Sequence, residues 1–174
     1  MILGVVLAGG KSQRFGSDKA LAEIDGRTLL SRAVDSLSAW CEHVVVVGRE
    51  VAPAPTLPDW PLAGMGPLAG LAAALRFAQD EGYAQVLSIP VDAVGLPDDL
   101  PAMLSPAPAC LDGQPVIGLW PVSVTGTLET LLRSSERHSM KHFAALANAR
   151  LVAGADGIAN INRPEDLAGH SPAG

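Results

Sequence analysis

Three short apolar runs rich in β-branched residues recur along the chain: ILGVVLA at 2–8, HVVVVG at 43–48 and AQVLSIP at 84–90. Each run is shorter than a typical buried helix and lacks the alternation of polar and apolar residues expected of a half-exposed strand. Such runs are typical of strands that are buried on both faces, as in a parallel sheet covered by helices on both sides.

Helical patterns lie between and after these runs. Residues 28–40 place five leucine, alanine and valine side chains at helical spacing. Residues 66–82 predict a second helix, with Pro67 in its first turn and Gly82 at its C-terminal cap. Strands alternating with helices predict an α/β fold, specifically a three-layer α/β/α arrangement around a mostly parallel, Rossmann-like sheet with right-handed crossovers.

The remaining elements are predicted from shorter signals. The prolines of 51–65 argue against both helix and sheet in that segment. Short helices are expected at 97–104, 127–135 and 139–147, a strand at 116–120, and weak strands around Leu151 and Ile158.

Composition narrows the class of protein. The chain has 174 residues with 48% hydrophobic and 17% charged residues, which suits one folded domain rather than a disordered chain. A formal net charge of -6 argues against binding to nucleic acid or to an anionic membrane surface. Cys41 and Cys110 show neither metal-site nor disulfide spacing, so we expect reduced, buried thiols. The N-terminal apolar run is too short for a signal peptide, and no run approaches the ~20 residues of a membrane span, so we expect a cytoplasmic protein.

A basic loop follows the first predicted strand. Gly9 and Gly10 lead into a segment that carries Lys11, Arg14 and Lys19. Glycines allow backbone N–H groups to approach a ligand closely, and the cations could neutralise phosphate oxygens. The alternative interpretation is a turn whose cations face water.

Two familiar phosphate-binding motifs do not fit this loop. A P-loop requires a glycine five positions before Gly10, where the chain has Val5. The dinucleotide fingerprint G-x-G-x-x-G is not matched by Gly9, Gly10 and Gly16. In open α/β sheets ligands bind beyond the carboxyl ends of the strands, so the loop and Asp92, which follows the third run, are expected at the same edge.

Four segments resemble the motifs of one enzyme family. LAGGKSQRFGSDK at 7–19 is similar to the opening signature L-A-G-G-x-S-x-R-x-G-x-D-K of the nucleotidyltransferases that make molybdenum cofactor dinucleotides. GPLAGL at 66–71 resembles the second glycine motif of that family, PVDAVGLP at 90–97 a modified form of its metal-binding C-D-x-P-F-L-P segment, and NINRPEDL at 160–167 its closing N-x-N-x-P-E-D-L. The likeness is strongest to the molybdenum cofactor guanylyltransferases.

The resemblance implies roles for matching residues. Nucleotide-binding residues would be Leu7, Ala8, Gly9, Gly10, Lys19, Asp59 and Asp92, with Asp92 also holding Mg2+. Arg14, Lys19 and Asp92 would be the catalytic residues. Asn160 and Asn162 would contact the acceptor, molybdopterin. The chain would be a single nucleotidyltransferase domain over 1–174, with nucleotide bound by about 1–100 and acceptor by about 101–168.

The chemistry of such a transfer suits these residue types. An acceptor phosphate monoester has its second pKa at about 6, so it is largely ionised at neutral pH and requires no general base. Catalysis then consists of holding anions together and offsetting charge on the departing pyrophosphate. Two cations, backbone amides and one Mg2+ on a carboxylate can do this. We expect a monomer that contacts cofactor-handling proteins and molybdoenzymes transiently.

Some positions depart from the family pattern. Val47 stands where the family commonly has a nucleotide-contacting Asn, so we expect looser guanine selection, which Val47→Asn should sharpen. Val94 and Gly95 replace a Pro-aromatic pair, which predicts a more mobile loop around Asp92. Trp60 is interpreted as a packing residue or as one that borders the base.

Two other functions remain open at this point. The first is a molybdenum cofactor cytidylyltransferase or another NTP transferase, although cytidylyl relatives more often have L-A-A-G where this chain has Gly9. The second is a non-catalytic domain that binds a nucleotide or docks a partner.

Overall fold

The structure of the protein is a computed structural model that describes residues 1–9, 19–61 and 65–161. The strands are β1 Ile2–Leu7, β2 Glu23–Ile24, β3 Arg27–Thr28, β4 His43–Val47, β5 Thr56–Leu57, β6 Gln85–Pro90, β7 Ala93–Val94, β8 Ala109–Leu111, β9 Gln114–Pro121, β10 Arg150–Val152 and β11 Ala159–Asn160. The helices are α1 Leu29–Ser38, α2 Pro67–Glu81, α3 Leu100–Met103, α4 Thr125–Arg133 and α5 Met140–Leu146.

The described residues form one central sheet of seven strands in the order β10-β8-β9-β6-β1-β4-β5. β1 pairs in parallel with both β4 and β6, and β5 and β10 also join the sheet in parallel. β9 runs antiparallel to β6 and β8. The prediction of a mostly parallel α/β sheet is therefore confirmed.

Side chains of the inner strands alternate between two apolar cores. Leu3, Val5 and Leu7 of β1 face the core that contains α2, α4 and α5. Val6 faces the opposite core, which is built with α1 and α3. Because both faces of these strands are covered, continuous apolar runs are needed, as their sequences predict.

Local signals in the sequence begin and end the helices, and those of α2 were predicted. The Thr28 side chain caps α1 by accepting a hydrogen bond from the Ser31 backbone N–H at 3.0 Å. Pro67 occupies the first turn of α2, and Gly82 ends it in the left-handed conformation with φ +85°. The Ser139 side chain caps α5 through the His142 N–H at 3.1 Å.

Some short strands were not predicted from the sequence, among them β2, β3 and β7, and others lie in unexpected places. Residues 56–57 form a strand within the proline-rich segment. They pair in parallel with the outer edge of β4, over two residues of each strand. Residues 109–111 form β8, a hairpin partner of β9 that the sequence analysis omits. The weak strand predicted near Ile158 is β11, which pairs with β7 outside the central sheet.

Among the described residues, no helix has the length and apolarity to cross a bilayer.

Candidate active site

The carboxyl ends of β1, β4 and β6 are tied together by backbone hydrogen bonds. The Ala8 N–H donates to the Val47 carbonyl at 2.8 Å, and the Val91 N–H donates to the Leu7 carbonyl at 3.2 Å. Leu7 is buried, Ala8 is half-buried and Gly9 is exposed. The chain therefore rises from the core to the surface at this edge, which is where α/β sheets bind ligands.

Gly48 makes this edge possible. It follows β4 with φ +100°, and a Cβ at this position would lie 2.3 Å from the Gly9 backbone nitrogen. No L side chain fits such a contact, so two glycine backbones pack against each other where the strands end. Sequence reasoning missed Gly48, although a glycine directly after a buried strand was a visible signal.

The second glycine motif serves helix packing at Gly70. A Cβ on Gly70 would approach Leu7 Cδ2 to 2.8 Å and Val47 Cγ1 to 3.3 Å. Glycine thus lets α2 lie close against the ends of β1 and β4. Gly66, with φ +82°, starts the same helix just before Pro67.

Val47 does not face the candidate ligand edge. Its side chain is 1% exposed and belongs to the core under α2, against Gly70. An Asn at this position would bury an amide among apolar groups. The expectation that Val47→Asn sharpens base selection is therefore corrected, because the alternation of β4 points this side chain into the core.

Asp59 lies two residues beyond β5, on the far side of β4 from β1, and is half-buried. The next residue, Trp60, donates its backbone N–H to the Ala69 carbonyl of α2 at 3.1 Å. The guanidinium groups of Arg76 and Arg133 lie over its ring, with their Cζ atoms 4.6 and 5.1 Å from the ring centroid. Arg76 is ion-paired with Glu129 at 2.6 Å. Trp60 therefore anchors the Asp59 segment to α2 and α4, which supports its interpretation as a packing residue.

Asp92 and Asn160 come together although 68 residues separate their numbers. Asp92 follows β6 and is half-buried. Its carbonyl accepts a hydrogen bond from the Ile161 N–H at 3.0 Å. The antiparallel pairing of β7 with β11 sets Asn160 opposite Ala93 and Val94 opposite Ala159. This pairing argues against the prediction, made from Val94 and Gly95, of a more mobile loop around Asp92.

The other predicted site residues are placed only in part. Gly10 and Arg14 belong to residues 10–18, and Asn162 to residues 162–174, which lie outside the described residues. The backbone of Lys19 begins a short 3-10 helix, Lys19–Leu21.

Neither cysteine has the properties of a thiolate nucleophile. Burial raises the pKa of the Cys41 thiol to about 12, with a smaller contribution from the nearby Glu42 carboxylate. Burial also raises the pKa of Cys110. Both thiols are free and protonated at neutral pH; Cys110 is buried, as predicted, whereas Cys41 is only half-buried.

Within 1–9, 19–61 and 65–161, no group of three or more His, Cys, Asp or Glu side chains could enclose a metal ion. Asp92 is instead a carboxylate at a strand end. Mg2+ is commonly bound by one or two carboxylates together with substrate phosphates, so the donor set at Asp92 fits a magnesium ion carried in with a nucleotide.

The fold and this edge define an α/β protein with a candidate ligand site at the carboxyl ends of its parallel strands. Residues 4–152 match the family model described as MobA-like NTP transferase domain. The chain therefore belongs to this family of nucleotidyltransferases.

Curated relatives agree with the family match over nearly the whole chain. The chain is 35% identical to a molybdenum cofactor guanylyltransferase of Rhizobium johnstonii, over 95% of this chain and 90% of that protein. It is 37% identical to a molybdenum cofactor guanylyltransferase of Acidiphilium cryptum, over 94% of this chain and 90% of that protein.

Solved structures share the fold at lower identity. The molybdopterin-guanine dinucleotide biosynthesis protein A of Archaeoglobus fulgidus superposes with a TM-score of 0.71 at 18% identity, over 97% of this chain and 96% of that one. A 2-C-methyl-D-erythritol 4-phosphate cytidylyltransferase of Thermus thermophilus gives 0.67 at 16% identity, over 95% of each chain.

Proposed function

We propose that this protein transfers GMP from GTP to the phosphate of molybdopterin, giving the guanine dinucleotide cofactor and pyrophosphate. The observation that carries this proposal is the set of relatives at 35–37% identity whose names state guanylyl transfer to the molybdenum cofactor. The joining of the Asp92 and Asn160 segments at one sheet edge supports it. A transferase that joins two substrates requires such an arrangement.

The nucleotide would bind across the ends of β1 and β4. Backbone groups of Leu7, Ala8, Gly9 and Gly10 would face it, since glycine leaves the main chain accessible at this edge. Asp59 would accept hydrogen bonds from guanine N–H groups. Arg14 and Lys19 would neutralise the phosphates.

The acceptor would bind on the Asn160 and Asn162 side of Asp92. An oxygen of its ionised phosphate forms a bond to the α-phosphorus of GTP, and the bond from that phosphorus to the β-phosphate oxygen breaks, with the electron pair leaving on pyrophosphate. Arg14 and Lys19 would offset the charge that develops on the leaving group. No side chain has to remove a proton from the acceptor at neutral pH.

Asp92 would hold a magnesium ion together with the triphosphate. When bound, the ion supplies Lewis-acid stabilisation of the phosphoryl oxygens. The role of the chain is to present the Asp92 carboxylate at a fixed place, which the hydrogen bond from Ile161 supports.

We also propose a monomer that acts in the cytoplasm as a single domain, with nucleotide bound by about residues 1–100 and acceptor by about 101–168. Two free thiols suit a reducing compartment. Transient contacts with cofactor-handling proteins and molybdoenzymes would deliver and remove the cofactor.

The test is pyrophosphate release by the purified full chain with molybdopterin, Mg2+ and each NTP in turn. With GTP, we expect pyrophosphate release that requires both molybdopterin and Mg2+. Faster release with CTP would assign the chain to cytidylyl transfer. Binding of nucleotide without release under any combination would identify a non-catalytic nucleotide-binding domain.

A further inference from the structure

The segment after Asp92 is held by a two-stranded ribbon outside the central sheet. β7 pairs with β11 through Ala93 opposite Asn160 and Val94 opposite Ala159. The hydrogen bond from the Ile161 N–H to the Asp92 carbonyl extends this ribbon to the candidate metal ligand. Ile161 is fully buried, so that the ribbon is anchored in the core beneath α1.

Gly95 directly follows β7 and has φ +83°, a backbone conformation that only glycine adopts easily. A Cβ at this position would lie 2.7 Å from the Gly157 carbonyl oxygen. That oxygen belongs to the backbone of the turn that leads into β11. A side chain at residue 95 would therefore push β7 and β11 apart.

The backbone of Asp92 is held both by the preceding strand and by the ribbon. β6 holds it on one side, through the buried residues that end at Val91. The β7–β11 ribbon holds it on the other. Displacement of the ribbon would shift the Asp92 backbone, and with it the carboxylate, because the Ile161 N–H is bonded to the carbonyl of Asp92 itself.

We propose that Gly95 is a positioning residue that acts through the β7–β11 ribbon to fix the Asp92 carboxylate for metal–nucleotide binding and, through Asn160 in the same ribbon, to align the acceptor with it. This inference rests on the proposed function.

The test compares Gly95→Ala with Gly126→Ala in the full chain. A Cβ on Gly126 meets open space within α4, so the control adds the same methyl group without a clash. Thermal unfolding and circular dichroism establish that both variants are folded. Calorimetric titration measures GTP affinity with and without Mg2+, and hydrogen exchange measures protection of the Ile161 amide.

We expect Gly95→Ala to lose about tenfold to a hundredfold in the Mg2+-dependent affinity for GTP, as is typical when a residue that orients a metal ligand is changed. Affinity without Mg2+ should stay at the wild-type value, and the Ile161 amide should exchange faster. The KM for molybdopterin should rise as well. Gly126→Ala should match the wild type in all four measurements.

A second variant tests the cause of the effect. Gly95→Asn adopts a left-handed backbone more readily than alanine but carries the same Cβ, so its Mg2+-dependent affinity should fall as in Gly95→Ala if the contact with Gly157 is the cause. It also carries the test if Gly95→Ala fails to fold. Wild-type affinity and wild-type Ile161 protection in a folded Gly95→Ala or Gly95→Asn variant would overturn the inference while leaving the proposed function standing. Absence of Mg2+-dependent GTP binding in the wild type would instead overturn the proposed function and this inference with it.

Discussion

The two halves of the central sheet are built in different ways. The parallel half consists of β1, β4, β5 and β6 with α1 and α2. In this half, Gly9, Gly48 and Gly70 allow backbones to pack closely against neighbouring segments. The mixed half (β8, β9 and β10 with α4 and α5) depends on a reversed strand and on large side chains. Backbone proximity therefore shapes the candidate nucleotide edge, whereas side-chain packing stabilises the other half.

The mixed half is centred on Trp120 of β9. Its ring is fully buried and lies 5.0 Å from the Phe143 ring of α5, centroid to centroid. Its Nε1–H donates to Ser88 Oγ at 3.0 Å, and the Ser88 hydroxyl donates to the Val116 carbonyl at 2.7 Å. This buried hydrogen-bond network joins β9 to β6, and hence the two halves to each other.

If the edge of the parallel half performs the chemistry, Asp92→Ala should abolish activity without unfolding the protein. We expect kcat/KM to fall about a thousandfold or more, roughly 4 kcal/mol of lost transition-state stabilisation. Guanylyl transfer measured over a range of GTP concentrations gives kcat and kcat/KM, and circular dichroism follows unfolding. Asp98→Ala, an exposed acid six residues on, is the control and should behave as wild type. Near-normal turnover by Asp92→Ala would refute the assignment.

Phe143→Ala should have the opposite effect. Removing this fully buried ring should lower the free energy of unfolding by about 3 kcal/mol or more, because a cavity forms beside Trp120. GTP affinity should change little at a temperature where the variant is folded. Denaturant unfolding and calorimetry provide the two values. Leu146→Ala on the same helix, at a side chain 42% exposed, should cost much less. A large loss of GTP affinity in Phe143→Ala would contradict the division into halves.

Val47→Asn should destabilise the parallel half without improving guanine selection. Burying an amide under α2 should cost about 1–3 kcal/mol. The measurements are urea unfolding and the GTP/ATP ratio of kcat/KM. Val51→Asn provides a matched control, since Val51 is 80% exposed and its replacement should be nearly neutral. A stable Val47→Asn variant with a raised GTP/ATP ratio would restore the interpretation drawn from sequence.

Lys19→Ala should weaken GTP binding more than GMP binding, since the lost charge would face the β- and γ-phosphates. A charge-assisted hydrogen bond is worth about 1.5–3 kcal/mol, so a loss of GTP affinity of about tenfold or more is expected. Calorimetric titration with each nucleotide separates the two affinities. The exposed Lys141 of α5 supplies the control variant Lys141→Ala. Equal losses for GTP and GMP would place Lys19 away from the departing pyrophosphate.

Asp59→Ala should lower base discrimination rather than turnover with saturating nucleotide. Loss of its hydrogen bonds to guanine should reduce the GTP/ATP ratio of kcat/KM by about 1 kcal/mol, on the order of fivefold. Steady-state kinetics with both nucleotides give the ratio. Asp112→Ala, in the exposed turn between β8 and β9, should leave it unchanged. An unaltered ratio in Asp59→Ala would show that other groups select the base.

The sequence by itself determined the elements whose signal is local. Continuous apolar runs predicted β1, β4 and β6, helical spacing predicted α1, and Pro67 with Gly82 predicted the ends of α2. The carboxyl ends of parallel strands lie at one edge of a sheet. The order of predicted strands was therefore enough to place Leu7, Ala8, Gly9 and Asp92 at the same edge.

Only the tertiary structure decided the features that depend on a distant partner. β5, β7 and β11 are two residues long, too short for any periodic pattern, and they exist because an open strand edge or another short segment pairs with them. The Val47 side chain lies in the core because α2 covers that face of β4. Residues 48 and 95 must be glycine because the backbones of distant residues lie against them. Such contacts join residues far apart in the chain, so no local pattern in the sequence records them.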